Sequence, residues 1–231
     1  MKKITNLVLF TLASGAMMAQ SLPKLEPTPM KGDHGVSRHV NQTTASKQAG
    51  TTYWSEDFGS GIPAGWTNQV LDATGNVNTA AGAEWEYRGP STTPDVSEGS
   101  RGGYASAGDP IVSTTAANGF VIFDSDFLDT DGTAGAFGTG VAPTPHTGVL
   151  TTDTIDLTAA AGNQIELLFT SYARKFTADF EITFSADGGL TWTDTVNVYE
   201  NLGVNSSTAN DSRVRYKLPA SLAGSQYAMI R

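Results

Sequence analysis

The side chains of this sequence best suited to chemistry are carboxylates. Asp124, Asp126, Asp129 and Asp131 fall within the nine residues Asp124-Ser125-Asp126-Phe127-Leu128-Asp129-Thr130-Asp131-Gly132. Carboxylates this close repel one another unless water solvates them or a cation bridges them. Hard oxygen donors suit Ca2+, which takes about 6–8 of them. The spacing is not that of an EF-hand, because Leu128 stands where the third ligand belongs. A solvated acidic loop is the alternative reading, and the sequence leaves both open. Glu56 and Asp57 form a second acidic pair on the first strand candidate. Paired carboxylates also serve glycoside hydrolysis, but that pairing is defined in space and not by spacing along the chain. With 23 Asp and Glu in the chain, chance pairs are expected.

Other catalytic chemistries have little to draw on. The chain has no cysteine, which removes disulfides, thiolate nucleophiles and cysteine metal sites together. Its histidines are His34, His39 and His146; the first two lie in a linker-like stretch and the third follows Pro145 in a loop. There is no H-E-x-x-H and no G-x-S-x-G, since Tyr104-Ala105-Ser106-Ala107-Gly108 fails at its first position. No glycine-rich phosphate loop follows a strand and opens a helix. Trp54, Trp66, Trp85 and Trp192 could stack on sugar rings, although tryptophans in β-sandwiches are more often core.

The most specific short motif is Ser185-Ala186-Asp187-Gly188-Gly189-Leu190-Thr191-Trp192. It fits the Asp-box pattern S-x-D-x-G-x-T-W at every fixed position, through Ser185, Asp187, Gly189, Thr191 and Trp192. Its physics is that of a hairpin: Asp187 accepts N–H bonds from its own turn, and Gly188 or Gly189 supplies a positive φ. Asp boxes recur once per blade in sialidase-like propellers, whereas this sequence carries one copy. The motif reads as a stabilised turn and not as a catalytic aspartate.

The elements that must position these residues are strands. Charged residues make up 16% and hydrophobic ones 39%, with 25 Gly and 10 Pro. That profile is far from the Glu-, Lys- and Leu-rich profile of a bundle or coiled coil. Strand candidates are Tyr53 to Phe58, Trp66 to Leu71, Trp85 to Arg88 and the apolar run Gly119 to Phe123, which reads as a strand buried on both faces. Period-two alternation is cleaner beyond residue 160. Ile165, Leu167 and Phe169 oppose Glu166 and Thr170; Phe180, Ile182 and Phe184 alternate with Glu181 and Thr183; Val214, Tyr216 and Leu218 alternate with Arg213, Arg215 and Lys217. The expectation is an all-β antiparallel sandwich of jelly-roll type. Gln226 to Arg231 reads as a strand that has just begun, so the domain is expected to lack its last strands and to leave an unpaired edge.

Residues 1–19 read as a signal peptide: Lys2 and Lys3, an apolar stretch from Leu7 to Leu12, then Ser14, Gly15, Ala16 and Ala19. The apolar stretch is too short for a hydrocarbon core of about 30 Å. Cleavage is expected after Ala16 or Ala19. Residues 20–50 lack periodicity and read as a disordered linker or pro-segment, leaving 51–231 as the folded domain. The formal charge of −9, or −11 without Lys2 and Lys3, argues against a nucleic-acid partner. No later segment is apolar enough to span a membrane.

Four segments taken in order resemble the cleaved-adhesin and choice-of-anchor jelly-roll domains of secreted bacterial proteins, which are similar to the MAM domain. They are Trp54-Ser55-Glu56-Asp57-Phe58 with Gly61-Ile62-Pro63-Ala64-Gly65-Trp66; Asn118 to Asp126; Leu150-Thr151-Thr152 with Ile155-Asp156-Leu157, where Asp153 replaces a common proline; and Ser185 to Trp192. The resemblance covers residues 53–231. It implies a secreted or surface-displayed module, often exported by type IX secretion, that binds protein or glycan beside peptidases or other enzymes. It also implies a structural Ca2+ held by Glu56, Asp124 and Asp126, although the family's closing acidic segment is absent. The expected function is a calcium-stabilised, non-catalytic adhesion or carbohydrate-binding module for a host protein or glycan. The alternative is an ancillary substrate-binding domain of a larger secreted hydrolase or peptidase.

Overall fold

A computed structural model of the chain describes residues 50–88, 99–104, 111, 118–209 and 212–231. The expected signal peptide (1–19) and the linker up to residue 49 lie outside the described residues. The protein is all-β, and every strand pair among the described residues is antiparallel.

Strand β1 (Thr67–Leu71) pairs with β4 (Thr147–Thr151), and β2 (Glu86–Arg88) pairs with β3 (Phe120–Ile122). Between β3 and β4 lies a short helix, α1 (Ser125–Thr130). Strand β5 (Glu166–Ser171) is followed by β6 (Arg174–Lys175), and β9 (Ser206–Ser207) comes before β10 (Ser212–Lys217). The four form a ribbon in which β5 pairs with β10 and β6 with β9. Strand β7 (Glu181–Ser185) lies between β8 (Thr193–Asn197) and β11 (Met229–Ile230). Among the described residues no helix is long and apolar enough to cross a membrane.

The period-two segments form strands with the faces their sequence dictates. Along β10, Arg213, Arg215 and Lys217 are exposed, whereas Val214 is buried and Tyr216 half-buried. Along β5, Leu167 and Phe169 turn inward and Glu166, Leu168 and Thr170 outward. The inner faces of this ribbon and of the β7 sheet meet in one apolar cluster. Ile155, Leu157, Ile165, Phe184, Leu218 and Leu222 are buried there, with Leu167, Ile182, Tyr216 and Ile230 packed against them. Phe184 stacks on Tyr216 with ring centroids 5.7 Å apart. Burying a side chain of this size contributes about 1.5–3 kcal/mol. A second cluster, Ala173, Val198, Tyr199, Leu202 and Val214, continues beneath the ribbon. A third gathers Val70, Ala83, Leu128 and Ala142 beside β1 and α1.

Three expectations are corrected. Tyr53 to Phe58 forms no strand. The Phe58 N–H donates to Glu56 Oε1 (2.6 Å) and the Gly59 N–H to Asp57 Oδ1 (2.8 Å), and Phe58 has a φ of 56°. Side chains that bond the backbone two residues on compete with a strand ladder, and here they win. The run Gly119 to Phe123 is not buried throughout: Phe120 and Val121 are half-exposed and only Ile122 within β3 is buried. The acidic run is a helix over Ser125–Thr130, not a loop. Leu128, 2% exposed, anchors it in the third cluster, and Asp131 in the left-handed region ends it.

The final segment is also not an unpaired edge. On one side β11 pairs with β7, and Arg231 exchanges backbone hydrogen bonds with Thr183. On the other side Ile155 and Ala228 exchange hydrogen bonds, the Thr152 N–H donates to the Ile230 carbonyl (2.9 Å), and the Leu157 N–H donates to the Ser225 carbonyl (2.7 Å). Residues 225–231 are therefore flanked by backbone partners on both edges.

Candidate functional site

Helix α1 brings the acidic run to a hub, where the carboxylates of Asp124, Asp126 and Asp129 are engaged by the protein itself. Asp124, at the helix start and 5% exposed, accepts the Arg101 N–H at 2.7 Å, the Ser100 hydroxyl, and Nη2 of Arg88 at 3.3 Å. Arg88 is itself buried. Its Nε and Nη2 donate to Glu86 Oε2 (3.2 and 2.9 Å), and its Nη1 to the Gly99 carbonyl (2.6 Å). Arg101 completes the cage: its guanidinium reaches Glu86 and lies 4.5 Å from the Phe127 ring centroid. Burial would strip Asp124 of solvation at a cost of several kcal/mol, and the adjacent guanidinium with its hydrogen bonds offsets that cost.

Asp126 and Asp129 fasten other segments to the same helix. Asp126 accepts the Tyr104 N–H at 2.7 Å. Asp129, also buried, takes the N–H groups of Gly138 (3.2 Å) and Thr144 (2.8 Å) and the Thr144 hydroxyl (3.1 Å) on one oxygen. Glycine is required where these loops approach α1 most closely. A Cβ on Gly102 would lie 2.3 Å from the Asp126 carboxyl, and one on Gly140 would lie 2.2 Å from the Leu128 carbonyl oxygen.

Of the three expected metal ligands, Asp124 and Asp126 share α1 and its start, whereas Glu56 folds back onto the backbone of its own loop. No group of three His, Asp or Glu suited to an ion exists among the described residues. The donor set does not fit Ca2+ as it stands. The Asp124 oxygens face a guanidinium, a hydroxyl and an N–H, and an ion would have to displace these donors. Nothing in the sequence singled out Arg88 or Glu86 beyond their place in the strand candidate Trp85 to Arg88.

The Ser185–Trp192 motif folds as its chemistry dictates. Asp187 Oδ1 accepts the Ser185 hydroxyl (2.7 Å) and the Thr191 N–H (2.9 Å), and Oδ2 accepts the Thr191 hydroxyl (2.6 Å). The Ser185 hydroxyl oxygen in turn accepts the Gly189 N–H (2.8 Å). Gly188 and Gly189 both take positive φ, 73° and 84°. The Thr191 hydroxyl, then its N–H and the Ser185 hydroxyl, hold the Asp187 carboxyl down at about 2. The turn is pinned to the last segment, because the Gly188 N–H donates to the Tyr227 carbonyl (2.9 Å) and the Arg231 guanidinium lies 4.2 Å from the Trp192 ring centroid.

The remaining tryptophans divide between surface and interior. Trp54, partly exposed, stacks on Trp66 at 6.2 Å, and Phe58 meets Trp66 edge-on. Trp85 packs on Phe123, which in turn meets His146 edge-on. His146 Nδ1 lies 2.6 Å from the Ala142 carbonyl, which gives this ring a structural role in its loop. His34 and His39 lie outside the described residues.

Two outcomes follow from this geometry. Arg88→Met, which leaves Asp124 buried opposite an uncharged chain, is expected to destabilise the protein by about 3–5 kcal/mol in denaturant unfolding. Arg101→Met, at a more exposed pair, is expected to cost about 1 kcal/mol or less; equal losses would show that burial of the Arg88–Asp124 pair does not matter. For Asp187 the folded carboxyl titrates below its ordinary 3.8. Its contribution is therefore complete above the unfolded value and is lost as pH falls through about 2. An NMR titration should place its midpoint near 2, and in Thr191→Ala the midpoint should move back toward 3.8.

Comparisons with family models, with curated proteins and with solved structures found no match for this chain.

Proposed function

We propose that this chain is a secreted or surface-displayed binding module that recognises an extracellular protein or glycan without transforming it. One observation carries the reading: the side chains that could do chemistry are committed to folding, while a regular sheet face is left open to solvent. Asp124, Asp129 and Asp187 each accept hydrogen bonds that close a turn or fasten a segment. The outer face of β5 and β10, by contrast, offers Leu168 65% exposed among charged and hydroxyl side chains. The four ordered segments that resemble cleaved-adhesin domains support the same reading, as does the basic–apolar–small pattern of residues 1–19. The resemblance brings a jelly-roll connectivity with it, which remains part of this proposal. Fold alone does not select a ligand; the exposed surfaces do.

Calcium enters through its test, since the Arg88 guanidinium already neutralises Asp124. The experiment takes the full chain to an array of glycans and extracellular matrix proteins, with calcium and with chelator, and follows Tm in both. The expected result is saturable binding to at least one class of ligand with no turnover of it. Hydrolysis of an arrayed glycan or protein, abolished by one carboxylate substitution, would overturn the non-catalytic reading. A Tm equal in calcium and chelator is expected from the Arg88 cage. A calcium-dependent rise lost in Asp124→Ala would instead install the ion and displace Arg88 from that role.

A further inference from the structure

We infer that the ligand surface is the outer face of the β5–β10 ribbon and that its ligand is a linear acidic polysaccharide. This inference rests on the binding-module reading and names the ligand class.

The charge distribution is the first observation. Residues 51–231 contain twenty-one Asp and Glu against eight Lys and Arg. Three of those eight, Arg213, Arg215 and Lys217, alternate along β10, and all three are exposed. Side chains two apart on a strand share a face at about 6.8 Å spacing, so the three cations form a row about 14 Å long. The antiparallel register sets Arg213 opposite Thr170, Arg215 opposite Leu168 and Lys217 opposite Glu166. Among the described residues of the paired strands, Glu166 is the one carboxylate on this face, and Arg215 claims it through Nε at 2.8 Å. Arg213 and Lys217 form no ion pair among the described residues.

Of the other five cations, Arg174 has an interaction partner of its own and the remaining four are occupied elsewhere. Arg88 and Arg101 serve the Asp124 cage, Lys175 pairs with Asp179, and Arg231 lies over Trp192. The row on β10 is therefore a local reversal of sign on a strongly acidic domain. The domain's excess of carboxylates over cations disfavours a broad polyanion spread across its surface. The row suits a narrow chain lying along one strand, with sulfate or carboxylate groups repeated at its edges. Leu168, exposed at the centre of the face, and Thr170 would meet the carbon face and hydroxyls of a sugar ring. The inner side of the same strands is locked into the core by Val214, Tyr216 and Phe169, so the row is presented on a rigid support and little ordering is needed on binding.

The test uses the full chain with heparin as the sulfated probe, desulfated heparin and neutral dextran as controls, at low salt and at about 0.15 M. The parent is expected to bind heparin, more weakly as salt rises, and to ignore dextran. The double variant Arg213→Gln, Lys217→Gln removes charges that have no partner among the described residues, so its Tm should match the parent's. Its affinity should fall about twenty-five-fold, at about fivefold per cation, and its salt dependence should flatten. Unchanged heparin affinity in that variant would overturn the inference. So would parent binding to dextran or to a matrix protein with none to heparin, although the module reading would then stand. Failure to bind any arrayed glycan or protein would remove the module reading as well.

Discussion

The structure depends on a short stretch of backbone, residues 225–231, which is hydrogen-bonded along both edges. On one side it completes the β7 sheet; on the other it receives Thr152, Ile155 and Leu157. Flanked on one side alone, buried Ala228 and half-buried Met229 and Ile230 would leave N–H and C=O groups unmet, each costing free energy comparable to a lost hydrogen bond. The two-sided pairing also joins parts of the chain far apart in sequence. It fixes where β7 lies, hence where Phe184 points, and hence where the β5–β10 ribbon can rest through Tyr216. The Asp187 turn is tied to the same stretch through the Tyr227 carbonyl. The outer face of the ribbon owes its rigidity to this chain of contacts.

In a chain without cysteine, acidic side chains do the fastening between segments. Asp124, Asp126 and Asp129 gather three loops around six residues of helix, and Asp72, Asp156 and Asp187 close turns on their own backbone. In each of the turns, hydrogen bonds from neighbouring hydroxyls and N–H groups favour the ionised carboxylate and lower its pKa. A chain without cysteine and with many threonines can thereby stiffen its loops while leaving its sheet faces unmodified. The same commitment explains why a high acidic content yields so little catalytic geometry.

What could be read in the sequence follows from where the information is local. Period-two alternation placed β5 and β10 with the correct faces, because one face is core and the other water; on β7 it placed Phe184 inward, but Thr183 opposite is half-buried and Ser185 is buried. The Ser185–Trp192 turn was legible because the hydrogen bonds of its Ser185, Asp187 and Thr191 side chains close within eight residues. The helix at Ser125–Thr130 was not: it lasts under two turns, and its anchor, Leu128, is meaningful only against Val70 and Ala142. The Arg88–Asp124 pair joins residues 36 apart and has no local signature. The partners of residues 225–231 lie up to seventy-eight positions away, so alternation alone showed a strand without showing a place for it. The cations of β10 were visible as alternation and were read only as the wet face of a strand; their significance appears once their paired neighbours are known to be a leucine, a threonine and one glutamate.

Native-state amide hydrogen exchange on residues 225–231 is the most direct measurement. The Ala228 N–H donates to the Ile155 carbonyl and the Arg231 N–H to the Thr183 carbonyl, one on each edge. Both amides should exchange only through global unfolding, with the same free energy as buried β7 amides. Exchange of either through fast local fraying, ahead of β7, would contradict the two-sided pairing on which this account of the fold and its open face rests.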